Sequence, residues 1–414
     1  MKENIDFKFS KDDVDYLLST KSIRDKASQI YEMSLQGKTN FIIDEQKYEE
    51  AADFVLETIK TNYPDLKIPY HSRWGHFNSP KKNRVDEFFD LVSPLDKVER
   101  GRREFDLIII SVLLDAGAGK TWSYRDEQTG EKIGRSEGLA VASYDMFKSG
   151  LFSCNPGGDP YRVDAKKLTE LTVEDLRHGF QVDANNELEG LEGRLSLLKS
   201  LGETILSKKE FFKVGTPGSL LDYILESVEG DKLEAEEILH CLLRSLGKIW
   251  PGRVTLGGQS LGDVWIYGPM VQKETPSCLV PFHKLSQWLS YSLIESIERL
   301  NIQVVNLDAL TGLAEYRNGG LFVDLGVFSL KEKEMTKVGH CPDEDLIIEW
   351  RALTIIGLDK IASLIRKKLK ISSIDFPLPK VLEGGTWHAG RKIAKHHRPY
   401  GTPPIKIISD GTVF

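Results

Sequence analysis

Two strongly apolar segments of this chain carry ionisable side chains that cannot easily reach water. LTGLAEYRNGGLFVDLGVF (residues 310–328) holds Glu315, Arg317 and Asp324, and EDLIIEWRALTIIGLDKI (residues 344–361) holds Glu349 and Arg351. Charged groups persist in such surroundings when they are paired or when they do chemistry. The second segment opens with Asp343, Glu344 and Asp345, and its helical continuation ends at Arg366, Lys367 and Lys368, so both ends match a helix dipole. Its middle is apolar almost all round. The pattern predicts a central buried helix over about 345–369, with Glu349 and Arg351 inside the protein.

The remaining periodicity is mostly helical. Residues 11–65 read as helices, including one over 45–59, and further helices are expected over 136–152, 187–206, 219–228 and 233–247, with short capped turns in 164–176. The run EFDLIIISVLL (104–114) is too short and too uniformly apolar for periodicity to separate a buried helix from a buried strand. In PFHKLSQWLSYSLIESIERL, Pro281 suits a first helical turn. There Phe282, Leu285, Trp288, Leu289 and Ile297 supply a buried stripe, and His283, Gln287 and Tyr291 share an adjoining face. The fold class expected is mainly α, a helical globule with few short strands. An N-terminal helical segment, residues 1–100, would pack on a main domain of 101–414, or the two would form one continuous domain.

Composition removes several function classes. The net charge of −7 and pI near 5.8 argue against a general nucleic-acid binder, which carries a basic face. A small basic pocket for a phosphorylated metabolite remains compatible with that balance. No apolar run approaches the roughly 20 residues a membrane span needs, and the acidic, interrupted N-terminus is unlike a signal peptide. The four cysteines are dispersed without a C-x-x-C pair, which reads as reduced thiols in a cytosolic protein.

Three short motifs carry possible chemistry. DAGAGKTW (115–122) imitates a P-loop, but G-x-x-x-x-G-K-S/T needs glycine at position 114, which is Leu114. A glycine-rich turn is expected there, with Asp115 notable at the end of a buried element. HSRWGH (71–76) lacks helical metal-ligand spacing and an acidic third ligand, so no metal is expected. Arg73 and its two histidines could instead grip phosphate, or pin a surface loop. RKIAKHHR (391–398), beside Gly384 to Trp387, is either a solvated basic face or a second phosphate contact. Asn318-Gly319-Gly320 reads as a turn after Glu315 and Arg317, whose plain alternative is a salt-bridged helix end. Glu349 and Arg351 have the parallel alternative of an internal ion pair, and Asp324 that of a cap.

Across nearly its whole length the chain resembles the fungal and bacterial uracil-catabolism (URC) family, whose domain has been of unknown function. The matching segments, in order, are SVLLDAGAGKTW, RSEGLAVASYDMF, GLEGR, LGDVW, VPFHKLSQWLSYSL, LTGLAEYRNGGL, EWRALT, GGTWHAGR and SDGTVF. The resemblance implies a role in degrading uracil through ribonucleotides. The last third is also similar, more distantly, to queuosine-5′-phosphate N-glycosidases, helical proteins of DNA-glycosylase-like fold. By position, Glu315 stands at that family's motif aspartate, with Tyr316, Arg317, Lys284, Gln287, Glu349 and Arg351 matching. Asn318-Gly319-Gly320 departs from its pattern.

This second resemblance implies N-glycosidic bond hydrolysis of a pyrimidine-derived ribonucleotide, with a ring-opened uracil nucleotide as one candidate substrate. Glu315 is the expected catalytic carboxylate, with Asp324 and Asp115 as further candidates. Substrate contacts are expected from Arg317, Tyr316, His283, Lys284, Gln287, Trp288, Glu349, Arg351, Arg73 and Trp387. No cofactor or metal is required, and the partner is a small phosphorylated nucleoside. The rival readings are an amidohydrolase or deaminase of the opened ring, and a non-catalytic nucleotide-binding or scaffold protein.

Overall fold

The computed structural model describes residues 7–115, 117–119, 121–250, 254–272 and 275–408. Helices dominate it, and each of its short strands has a single partner strand. The elements that matter for the site are α1 (Thr20–Leu35), β1 (Phe41–Ile43), α2 (Lys47–Asn62), α3 (Lys97–Leu113), α4 (Arg135–Lys148) and α5 (Leu191–Ser207). They continue with α6 (Lys284–Glu298), α7 (Tyr316–Asp324), β2 (Phe328–Leu330), α8 (Asp345–Leu369) and α9 (Trp387–His397).

The chain's longest apolar helix forms where the sequence places it. Helix α8 runs 25 residues, carries Arg366, Lys367 and Lys368 in its last turn, and stops at Lys370 in the left-handed region. Helices α1, α2 and α7 pack around it. Glu349 is 1% exposed. The ambiguous run at 104–114 is helical, belonging to α3. Asp96 caps that helix by accepting from the amides of Val98 and Glu99, and its residues from Phe105 to Leu113 are buried.

Two local expectations are corrected. Pro281 does not open a helix: it ends a strand, Leu279–Pro281, paired with Val264–Ile266. His283 then takes φ 49°, and α6 begins only at Lys284, whose amide donates to the Asp263 carboxylate at 2.9 Å. That carboxylate, supplied from outside the segment, takes the role the proline was given. Asn318-Gly319-Gly320 is likewise no turn, because it lies within α7. A Cβ on Gly319 would stand 2.7 Å from both Thr354 Oγ1 and Trp350 Nε1. Glycine here permits helices α7 and α8 to touch; the chain reverses later, at Gly326 with φ 73°.

One contiguous apolar core contains residues from Phe7 to Ile405. Strand β1 pairs antiparallel with β2, Ile42 opposite Ser329, so the N-terminal helices are stitched to the segment after α7. No helix among the described residues is long and apolar enough to cross a membrane.

Candidate active site

A cavity of about 690 Å³ opens where the N-terminal ends of α4, α6 and α7 meet α9, the loop after α3, the 71–76 segment and residues 400–403. Each wall is set by local bonding. Glu315 is the N-cap of α7, with extended backbone; its two carboxylate oxygens accept from the amides of Arg317 (2.8 Å) and Asn318 (2.7 Å). Asp115 sits just beyond α3. Its Oδ2 accepts from Ser136 Oγ at 2.7 Å and lies 3.1 Å from Arg73 Nη1. Both carboxylates line the cavity, and so does Lys284, the first residue of α6. Burial lowers the Lys284 pKa, opposed by the nearby charges of Glu315 and then Asp115, while Arg351 adds to the lowering. No hydrogen bond or ion pair to another described residue engages that ammonium.

Aromatic and cationic groups complete the lining. Trp288 is 6% exposed and its buried indole N–H has no hydrogen-bond partner among the described residues. The rings of His71 and His76 lie between it and Trp387, at centroid distances of 5.9–6.5 Å. The Arg317 and Arg391 guanidiniums lie 4.9 and 4.6 Å from the Trp387 ring, a cation–π distance. Arg391 is paired with Glu137 at 3.0 Å, whereas no carboxylate among the described residues lies within ion-pair distance of Arg317. Burial, then Arg73, His71, Arg317 and Arg391, hold the His76 imidazole well below its ordinary pKa. His71 is different: its Nδ1 meets Glu383 Oε2 at 2.7 Å. Glu383 is carried by a π-helical turn, Leu382–Thr386, immediately before α9.

Other expected site residues stand outside the cavity. Arg73 is fully buried and spends its guanidinium on Ser111 and Ser136 as well as Asp115, so it positions a carboxylate and is not free to grip phosphate. Asp324 holds Arg398 through two bonds of 2.7 and 2.5 Å, and Arg398 donates to the Thr402 carbonyl, shaping the 400–403 wall. Glu349 accepts from Asn40 and from the Tyr267 hydroxyl.

Arg351 pairs with Asp263, not with Glu349, through bonds of 2.9 and 2.8 Å, and also donates to the Ala314 carbonyl at 3.3 Å. His283 Nε2 meets the Leu17 carbonyl, and Gln287 accepts from the Thr311 amide. These groups tie elements together behind the site. Asp263 in particular pins the amide of Lys284, and its partner Arg351 pins the residue before Glu315.

The expectation of a nucleotide-independent Gly-Lys-Thr turn falls partly on Lys120, which lies outside the described residues. Its neighbours Gly117, Ala118 and Gly119 line the cavity. Arg194 donates to the carbonyls of Leu114 and Gly117 and so folds this loop about its guanidinium. Glu383, Ser136 and Asp263 carried no individual signal in the sequence, since each acts through a partner distant along the chain. Among the described residues, no three His, Cys, Asp or Glu side chains gather closely enough to hold a metal ion.

Comparison with known proteins gives concordant matches. A family model described as "Protein of unknown function (DUF1688)" matches residues 16–414. Protein urg3 of Schizosaccharomyces pombe is 42% identical over 408 residues, covering 96% of this chain and 98% of that protein. Uracil catabolism protein 4 of Lachancea kluyveri is 38% identical over 437 residues, covering 97% and 99%.

Proposed function

This chain belongs to the DUF1688 family, and from that premise we propose that it hydrolyses the N-glycosidic bond of a pyrimidine-derived ribonucleotide in uracil catabolism, releasing ribose 5-phosphate. The pathway is carried over from the name of a relative, uracil catabolism protein 4. The observation that carries the chemistry is that Glu315 and Asp115, far apart in sequence, open on one cavity around Lys284.

Breaking a C1′–N bond develops positive charge on the ribose, and a carboxylate held against that carbon stabilises it. Glu315 takes this role and orients the attacking water. It is well suited because two backbone amides fix its position before substrate arrives. Lys284 offsets the mutual repulsion of two carboxylates that share the cavity. Trp288, which lines the cavity, offers an aromatic face to the leaving group. Arg317, with no carboxylate partner among the described residues, and Arg391 supply the planar cations that phosphate recognition uses. The ordered similarity of the AEYR and EWRALT segments to the queuosine-5′-phosphate glycosidases supports the same reading.

The test is mass spectrometry of products after incubating the protein with uridine monophosphate and with its ring-opened derivatives. Ribose 5-phosphate together with the intact base or a ureido acid is the expected result. Products that keep the ribosyl–nitrogen bond while losing ammonia or an amide would favour a deaminase or amidohydrolase. Tight binding without turnover would favour a scaffold.

A further inference from the structure

His71 lines the same cavity and is bonded to Glu383, and this pair has no part in the chemistry described so far. Three ties build it. The His71 amide donates to the Pro379 carbonyl at 3.1 Å. The next residue, Ser72, donates to Glu295 at 2.8 Å, and the Arg73 amide donates to Ser292 Oγ at 2.9 Å. The π-helical turn adds to these three bonds. A Cβ on Gly384 would stand 2.6 Å from Ile68 Cδ1, and one on Gly385 2.7 Å from Val55 Cγ1, so these glycines let the turn settle onto α2 and hold Glu383 against the ring. Single π-helical turns recur at functional sites.

The contact decides which nitrogen does what. With Nδ1 engaged by the Glu383 carboxylate, Nδ1 is the donor in that bond and Nε2 is left for the cavity that His71 lines. Other titratable groups near the pair are His76 on the same segment, His388 on α9, Glu295 on α6 and Tyr63 after α2. Burial depresses both His76 and His388, and neither has a carboxylate in hydrogen-bond contact among the described residues. His71 is thus the imidazole here whose second proton has a counter-charge. Its ring lies 6.5 Å from Trp288, the aromatic face assigned to the leaving group.

We propose that His71 is the catalytic acid that protonates the departing nitrogen base, with Glu383 as its positioning residue; this rests on the glycosidase reading. As the C1′–N bond breaks, its electron pair goes to the leaving group, which takes the Nε2 proton. Water oxygen bonds to C1′ and gives its proton to Glu315. Solvent then carries that proton back to His71, so one water is consumed and both residues are restored.

The experiment compares two substrates: the ribonucleotide the protein cleaves, and p-nitrophenyl ribofuranoside 5-phosphate, whose leaving group departs without a proton. His71→Asn should cut ribonucleotide turnover roughly 10²–10⁴-fold while leaving nitrophenol release within a few-fold of wild type. Glu383→Gln should slow ribonucleotide turnover while leaving nitrophenol release within a few-fold of wild type, because only the proton-requiring departure depends on how the His71 ring is held. Equal slowing of both substrates by His71→Asn, or no slowing of either, would overturn the acid role. Equal slowing of both substrates by Glu383→Gln, or no slowing of either, would overturn the positioning role. Wild-type protein that cleaves neither substrate would instead remove the glycosidase reading, and with it this role.

Discussion

Glu315 serves as a helix cap and as the proposed catalytic carboxylate, and one substitution separates the two roles. Glu315→Gln keeps an oxygen able to accept one of the two capping amides but removes the charge. Turnover should fall by orders of magnitude while substrate affinity changes little, since the lost interaction belongs to the transition state. Loss of the cap should cost about 1 kcal/mol in thermal or denaturant unfolding. Near-normal turnover would transfer the role to Asp115, which faces the same cavity. Arg317→Ala should instead weaken binding of ribose 5-phosphate by roughly 10–100-fold, the worth of a charged hydrogen bond; calorimetry showing unchanged affinity would refute its phosphate role. At this scale the sequence was legible where chemistry and local pattern coincide: Glu315, Arg317, Lys284, Trp288 and Trp387 share the cavity. Glu349 and Arg351 stand outside it and tie elements together, because a buried charge in an apolar helix signals a structural tie as readily as a site.

Helices α6, α7 and α8 converge on the Asp263–Arg351 pair, so its loss should be felt by all three. The Asp263 and Arg351 side chains are 9% and 0% exposed. Removing one partner takes from the other, in a buried setting, the two charged hydrogen bonds that join them. Arg351→Met should therefore destabilise by about 3–5 kcal/mol. Replacing both partners with apolar residues should be milder for stability, yet still impair turnover, because Lys284 and Ala314 lose their anchors. A chemical-denaturation midpoint for Arg351→Met matching wild type would contradict this. Gly319→Ala tests the corrected turn: helix propensity alone favours alanine, but the clash with Trp350 and Thr354 should make it destabilising by about 1–3 kcal/mol. Helix existence was legible from periodicity, most clearly for α8. The start of α6 was not, since it depends on a carboxylate from Asp263 rather than on Pro281.

The core runs without interruption from Phe7 to Ile405, with α1 and α2 against α8 and β1 paired to β2. Residues 101–414 alone would expose the faces that these helices cover. That fragment should lack native near-ultraviolet circular dichroism, and a fragment with the full native spectrum would show the N-terminal helices to be dispensable. The helical class could be read from the chain, but the site's assembly could not. His71, Asp115, Glu315 and Trp387 meet only through tertiary packing, which no local period encodes. At this meeting point, on the reading proposed above, a ribosyl–nitrogen bond is broken. Its most direct test is the rate of ribose 5-phosphate formation from the ring-opened and intact uracil ribonucleotides, measured for wild type, Glu315→Gln and Asp115→Asn at matched folded fraction. Wild type should release ribose 5-phosphate and Glu315→Gln should release almost none; no release from any of these substrates, or equal release from all three proteins, would rule out ribosyl–nitrogen hydrolysis at this site.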